Sequence, residues 1–300
     1  MLICYDPYYE EIGFEIAKKL NAKILLMSHK IFPDGETYIR FPNPDVIEGE
    51  TIVFIGNAYP NQNNGIIRAL FTVSTLKDLG AKKVIIVFPY LPYSRQDKRF
   101  LPGECISAKV LVDLLIKAGA DIVMTIDVHN EKAFEEFGAK FVNISSMNAW
   151  AKYFKKINKS YFLVAPDKGR MKVVGKLAEI LSVNATSFIK ERDLTTGKIL
   201  KHAPSNEEEL MKLAKENEIA IIWDDILATG GTVANVAKQL RKIFNGEIWA
   251  AFTHVLMLPG AIQRITMAGV SKIIATNTIR NTFAEVNISQ LLANEIRKYA

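Results

Sequence analysis

Residues 219–240 read IAIIWDDILATGGTVANVAKQL. The first five, 219–223, are an apolar run of the kind that forms a buried strand. The run stops at two adjacent carboxylates, Asp224 and Asp225. A small-residue loop follows, Ala228-Thr229-Gly230-Gly231-Thr232, and beyond it Val233, Val236, Ala237 and Leu240 recur at helical spacing. Strand, glycine turn and helix start form a layout in which backbone N–H groups and a helix N-terminus can close around a phosphate. On that reading Gly230 and Gly231 leave room that a Cβ would fill, and Thr229 and Thr232 add hydroxyl donors. The plainer reading is a strand-to-helix turn with glycines for geometry and two acids for solubility.

The composition is that of a globular protein. Hydrophobic residues make up 49% of the 300 residues and charged ones 23%, enough for two ordinary cores of about 150 residues each. Lys and Arg number 38 against 32 Asp and Glu, a net +6, which suits anionic ligands but is too dispersed to argue for nucleic acid. Cys4 and Cys105 show no paired spacing, as expected in a reducing compartment. The N-terminus lacks the basic and apolar regions of a signal peptide. No apolar run approaches the ~18 residues of a membrane span. These features predict a cytoplasmic protein that binds neither membrane nor nucleic acid.

Short apolar runs alternate with helical patterns along the whole chain, so crossovers and a mainly parallel sheet are expected in each half. Strands are predicted at 2–5, 24–27, 51–55, 84–88 and 122–126, with helices at 11–20, 66–79 and 106–118. The last of these should turn Val110, Leu111, Leu114 and Leu115 inward. The second half repeats the rhythm, with strands at 161–165, 185–189, 219–223, 247–255 and 273–276. A terminal helix is predicted over 288–299. The expected division is 1–145, 146–285 and a terminal segment 286–300 that packs back on the first domain. Acids at matching strand ends, Asp127 and Asp224, hint at an internal duplication.

In open parallel sheets ligands bind beyond the C-terminal strand ends, and the charged residues begin there. After residue 88 come Arg95, Gln96, Asp97, Lys98 and Arg99; after 126, Asp127 and His129; after 165, Asp167, Lys168 and Arg170. His129 reads either as a structural hydrogen-bonder or, with Asp127 and Asp167 near it in the pattern, as part of a magnesium site. If residues 190–192 stay extended, Lys190 and Arg192 point to one side. They then head an arm, Leu194-Thr195-Thr196-Gly197-Lys198, that could fold over a polyphosphate or be an ordinary charged hairpin. Residues 31–36, with Phe32, Asp34, Gly35 and Glu36, read only as a turn. The spacing Gly169…Gly175-Lys176-Leu177 fails as a P-loop by one residue and by Leu in place of Ser or Thr.

Taken together, the motifs resemble those of the ribose-phosphate diphosphokinase (phosphoribosyl pyrophosphate synthetase) family. The acid pair with Thr229-Gly230-Gly231-Thr232 is similar to the phosphate loop of type I phosphoribosyl proteins. Phe32-Pro33-Asp34-Gly35-Glu36, Pro92-Tyr93-Ser94-Arg95-Gln96-Asp97-Lys98, Asp127-Val128-His129, Pro166-Asp167-Lys168-Gly169 and Lys190-Glu191-Arg192 follow in the family's order. The resemblance implies two similar α/β domains of the phosphoribosyltransferase type I kind. It implies that Phe32, Asp34, Gly35 and Glu36 contact adenine, from a neighbouring subunit of at least a dimer. Arg95, Gln96 and Asp97 would hold the rest of the ATP, and His129 and Asp167 the Mg2+ ions or their water. Asp224 and Asp225 would face the ribose hydroxyls, with Ala228, Thr229, Gly230, Gly231 and Thr232 around the 5-phosphate of ribose 5-phosphate. Lys190 and Arg192 would close over the diphosphoryl group as the catalytic pair.

Two departures stand out. Ala228 occupies a position where the family often has a third acid, which bears on sugar affinity rather than on reaction type. Residues 99–104 are less acidic than in many relatives, so phosphate activation and ADP inhibition are not carried over. Two other readings share the phosphate loop: a phosphoribosyltransferase, which needs no ATP pocket, and a non-catalytic homologue, which need not keep Lys190 and Arg192.

Overall fold

The structure, a computed structural model, describes residues 1–192 and 199–299, with the backbone alone for 190–192 and 199–202. The arm expected over Leu194, Thr195, Thr196, Gly197 and Lys198 therefore lies outside the described residues. The chain divides into two compact units, Met1–Ser146 with the segment from Ile288 onward, and Met147–Asn287.

The first unit begins β1 (Leu2–Tyr5), α1 (Glu10–Leu20), β2 (Lys23–Ile24), β3 (Ser28–Ile31), β4 (Thr37–Arg40) and β5 (Thr51–Ile55). It continues through α2 (Gln62–Asp78), β6 (Lys83–Phe88), α3 (Ser107–Lys117), β7 (Ile122–Ile126) and β8 (Phe141–Ile144). Six strands form one parallel sheet in the order β2-β1-β5-β6-β7-β8. Alternate residues of each strand serve opposite faces, as the two-residue period requires. Ile52 and Phe54 of β5 pack under α2 and α3 with Val73 and Leu115, whereas Val53 and Ile55 pack with Ile12 and Ile16 of α1. Both faces are thus covered, which is why these strands read as continuous apolar runs.

Three sequence expectations change here. The strand predicted at 24–27 is only two residues long, and the chain then forms an antiparallel hairpin, β3 with β4, outside the main sheet. Asp34-Gly35 closes that hairpin, so the turn was legible but its flanking strands, with little apolar alternation, were not. In α3 the buried residues are Ala108, Leu111, Val112 and Leu115, while Val110 and Leu114 are exposed. The apolar stripe of this helix is wider than the face that meets the sheet.

The second unit contains α4 (Met147–Phe154), β9 (Tyr161–Ala165), α5 (Lys168–Leu181), β10 (Ala185–Arg192), β11 (Ile199–Pro204) and α6 (Glu207–Glu216). It continues with β12 (Ile219–Leu227), α7 (Gly231–Arg241), β13 (Glu247–Val255), α8 (Ala261–Met267), β14 (Lys272–Thr276) and β15 (Ala284–Val286). The sheet order is β11-β10-β9-β12-β13-β14-β15, parallel throughout except where β10 meets β11. Ala220 and Ile222 of β12 face the core under α7, and Ile219, Ile221 and Trp223 face the one under α4 and α5. The strand does not stop at the acid pair: β12 carries Asp224 and Asp225 within it, its neighbour β13 extending the pairing to Leu227.

The last helix, α9 (Ser289–Ile296), belongs to the first unit. Leu292 and Ile296 join the cluster of Ile12 and Ile16, Arg297 donates to the Lys19 carbonyl and Lys83 to that of Tyr299. Leu292 is fully buried, so Leu292→Ala should cost about 2–5 kcal/mol of unfolding free energy, measurable by chemical denaturation. A cost below 0.5 kcal/mol, on the order expected for a surface change, would mean that α9 is not part of this core.

Candidate active site

The acid pair lies beside α5. Asp167, directly after β9, caps that helix: its Oδ1 accepts from the backbone N–H of Arg170 at 3.1 Å. Capping fixes the first turn, and the Arg170 side chain then reaches β12. Its guanidinium lies 3.4 Å from Asp224 Oδ1 through Nε and donates to Asp225 Oδ2 through Nη2. Asp224 also accepts from the amide of Asp225 at 2.9 Å. Asp225 and Arg170 are largely shielded from solvent, and Asp224 is somewhat less so. Burial, and then the charge of Asp225, push the Asp224 carboxyl well above the usual carboxylate range, while Arg170 acts in the opposite direction.

The turn after β12 is shaped by two glycines in different ways. Gly230 has φ +72°, and a Cβ there would lie 2.8 Å from Ile265 Cγ2 and 3.0 Å from the Ala261 carbonyl oxygen, both on α8. Its role is backbone conformation and packing on α8. Gly231 opens α7, and a Cβ there would approach only Thr229 Oγ1, at 3.8 Å. The space over Gly231 is therefore open, as close approach of an anion to the helix N-terminus requires. Arg264, on α8, donates from Nη1 to the Thr229 carbonyl. Ala228 and Thr232 are half-buried and Thr229 exposed around the same turn.

β10 pairs with β9 only over Ala185–Ser187 and then runs on, paired with β11, past the end of β9. The backbones of Lys190 and Arg192 thus lie past the C-terminal end of β9, still paired with β11. The pairing register of the backbone shifts between Glu191 and Arg192. Their side chains lie outside the described residues.

The remaining sequence candidates are in the first unit. Phe32, Asp34, Gly35 and Glu36 form the tip of the β3–β4 hairpin, all exposed. Phe32 N–H donates to the Glu36 carbonyl at 2.8 Å, and Glu36 N–H to Asp34 Oδ1 at 3.1 Å. The Phe32 ring stands edge-on to Tyr38 at 5.8 Å, with the Lys30 ammonium 4.6 Å from its centroid. After β6, Arg95 is exposed. Gln96 instead donates to the Lys98 carbonyl at 3.2 Å and to Glu104 at 3.3 Å. Glu104 also receives the amides of Phe100 and Leu101, and these bonds hold its carboxyl below the usual range. Asp97 is buried, and its Oδ1 has no hydrogen-bond partner among the described residues.

His129 is exposed after β7. Asp127, its neighbour in the pattern, is committed elsewhere: both oxygens accept from Ser146, from its amide at 3.0 Å and from its hydroxyl. Among the described residues no three His, Cys, Asp or Glu side chains converge as metal ligands. Asp167 spends Oδ1 on its cap. Such a donor set fits magnesium carried by phosphate oxygens and water, with one or two protein contacts, and does not fit an all-protein cage.

Sequence reading passed over Arg170 as one cation among several and missed Arg264 and the Arg68–Asp6 pair, at 2.6 Å, beyond β1. The spacing of Asp167 to Arg170, a cap and the residue it caps, could have flagged the first. Nothing local signals the other two.

A parallel sheet with an acid pair in its central strand and a glycine-turned helix start beyond it defines a phosphoribosyltransferase type I-like α/β protein. Residues 2–119 match the N-terminal domain of ribose phosphate pyrophosphokinase. A ribose-phosphate pyrophosphokinase of Methanobrevibacter smithii is 36% identical over 96% of this chain and 97% of its own. One from Sulfurisphaera tokodaii is 33% identical over 96% of each. The crystal structure of phosphoribosylpyrophosphate synthetase from Mycobacterium smegmatis superposes with a TM-score of 0.85 and 25% identity, covering 99% of this chain and 98% of that one. The chain belongs to the ribose-phosphate pyrophosphokinase family.

Two outcomes follow from the geometry. Gly230→Ala, forced to a positive φ against α8, should lose about 1–3 kcal/mol, read by denaturant unfolding; Gly231→Ala should lose less than half as much. The second concerns pH. A carboxyl whose pKa is raised on folding favours the folded state below its unfolded pKa and loses that advantage as pH rises through its folded pKa. Arg170→Met removes the opposing cation, so it should destabilise by about 3 kcal/mol, more at pH 8 than at pH 5. Equal loss at both pH values would contradict the assignment.

Proposed function

We propose that the chain transfers the β,γ-diphosphoryl group of ATP to the C1 hydroxyl of ribose 5-phosphate, giving 5-phosphoribosyl 1-diphosphate and AMP. The observation that carries the site assignment is the open approach to Gly231 at the start of α7, just beyond the end of the strand that carries the two carboxylates and turned by Gly230. It supports a 5-phosphate held by the amides of Ala228, Thr229, Gly230, Gly231 and Thr232, with the hydroxyls of Thr229 and Thr232, and the sugar hydroxyls turned to Asp224 and Asp225. Arg170 keeps those two acids together in the absence of sugar.

The nucleotide is assigned to the first unit. Phe32 offers a ring face at an exposed tip, Asp34 and Glu36 offer acceptors for an adenine amino group, and the exposed Arg95 is assigned to reach phosphate or base. Gln96 already bonds within its loop, so it serves the nucleotide by holding that loop, and Asp97 keeps an unused oxygen for a donor. An exposed hairpin tip of this kind suits donation to the site of a second copy, which makes a homo-oligomer the expected assembly. Magnesium, when bound, would neutralise the substrate phosphates, with His129 and Asp167 each assigned to contact a magnesium ion or its water.

In the reaction the C1 hydroxyl attacks the β-phosphorus, the bond from that phosphorus to the α,β-bridging oxygen breaks, and AMP leaves with that oxygen. Positioning and charge stabilisation supply most of the acceleration in phosphoryl-type transfer. Lys190 and Arg192, on the part of β10 that runs past the end of β9, are assigned as the cations that act on the diphosphoryl group. Product formation places the enzyme in the supply of phosphoribosyl groups for nucleotide biosynthesis.

Mixing the protein with ATP, magnesium and ribose 5-phosphate should release AMP in proportion to sugar; no AMP, with product consumed when a base is offered, would favour a phosphoribosyltransferase instead. Lys190→Ala should leave ATP binding within a few-fold and lower turnover by about a thousandfold or more, by steady-state kinetics; equal loss of binding and turnover would remove Lys190 from the catalytic role. Phe32→Ala should raise the KM for ATP and leave that for ribose 5-phosphate unchanged.

A further inference from the structure

The phosphate turn has one feature that a simple glycine loop does not need. Its Thr229 carbonyl is bonded to a cationic side chain, the guanidinium of Arg264, which comes from a different helix. The helix α8 is set against the turn: a Cβ on Gly230 would strike Ile265, the residue after Arg264, and the carbonyl of Ala261 at the start of the same helix. Arg264 itself is exposed, and its recorded contact among the described residues uses one of the five N–H groups that a guanidinium carries.

A carbonyl in an anion-binding turn is a liability. Its oxygen carries partial negative charge, and an unbalanced one beside a phosphate weakens what the amides gain. A cation that binds this oxygen cancels that charge and leaves positive charge to spare for the anion. The backbone of α7 contributes only partial charges at its N-terminus, against a phosphate monoester of nearly two negative charges at neutral pH.

Resting on the proposed reading of this turn as the 5-phosphate site, we infer that Arg264 is a binding residue for the 5-phosphate, one N–H holding the Thr229 carbonyl while the remaining charge attracts the substrate anion. The inference makes Arg264 a source of affinity for the sugar phosphate and of no consequence for ATP. It also separates charge from bracing. Gln at this position could brace the carbonyl through its amide but carries no charge, whereas Lys carries the charge and can still donate.

The test compares Arg264→Ala, Arg264→Gln and Arg264→Lys in the full chain, by AMP release with each substrate varied in turn and by calorimetry of ribose 5-phosphate binding. Loss of a charge-assisted contact should raise the KM and dissociation constant for ribose 5-phosphate by about ten- to a hundredfold in the Ala and Gln variants. The Lys variant should recover to within about fivefold, kcat should stay within about threefold, and the KM for ATP should not move. Recovery by Gln, or an unchanged ribose 5-phosphate affinity in the Ala variant, would overturn the inference. So would a parallel loss of kcat and both affinities with a lowered melting temperature, since that marks a purely structural brace. If the wild-type protein releases no AMP, the proposed reaction fails, while the calorimetry still decides whether Arg264 binds the sugar phosphate.

Discussion

Two carboxylates on consecutive residues near the end of a buried strand repel one another, and this sheet can hold them only with a cation at hand. Arg170 is that cation. It reaches the pair because Asp167 caps α5 and sets the first turn, so a single short segment after β9 prepares the acids of β12. The cost of leaving a buried charge unpaired runs to several kcal/mol, which makes the link between the two strand ends a structural necessity as well as a chemical one.

The first unit uses the same device. Asp6, next after β1, is paired with Arg68 of α2, an acid beyond a strand end answered by an arginine from a helix. Parallel strands deliver all their C-terminal ends to one edge, and acids gathered there must be matched by cations from the flanking helices. The loops over that edge are then built by side chains that take up backbone donors. Glu104 ties down residues 100 and 101, and Asp127 fastens Ser146. Acids that look interchangeable in the sequence therefore divide into those that make the loops and those, such as Asp97, that keep an oxygen unused.

The glycine turn illustrates a similar division of labour. Gly230 is demanded by its positive φ and by α8, and Gly231 is left open at the helix start. Both glycines read in the sequence as making room for a phosphate; the structure leaves open space over the second and packs the first against α8. A positive charge bonded to the turn's backbone comes from Arg264, thirty-five positions beyond Thr229 along the chain, and no pattern within the turn announces it.

What the sequence determined by itself was whatever repeats at short range. Apolar runs such as 84–88 and 122–126 state their burial on both faces, helices state their period, and the motif from Asp224 to Thr232 states a strand, a turn and a helix start. The order of the short motifs was enough to suggest the family. Only the tertiary structure decided which charges meet, because ion pairs such as Arg170–Asp225 join residues from separate elements and carry no local period. It likewise decided that Val110 and Leu114 stay exposed and that residues 28–40 leave the sheet as a hairpin. A helix can be apolar over a wider arc than it buries, and a strand's partner is chosen by what lies beside it in space.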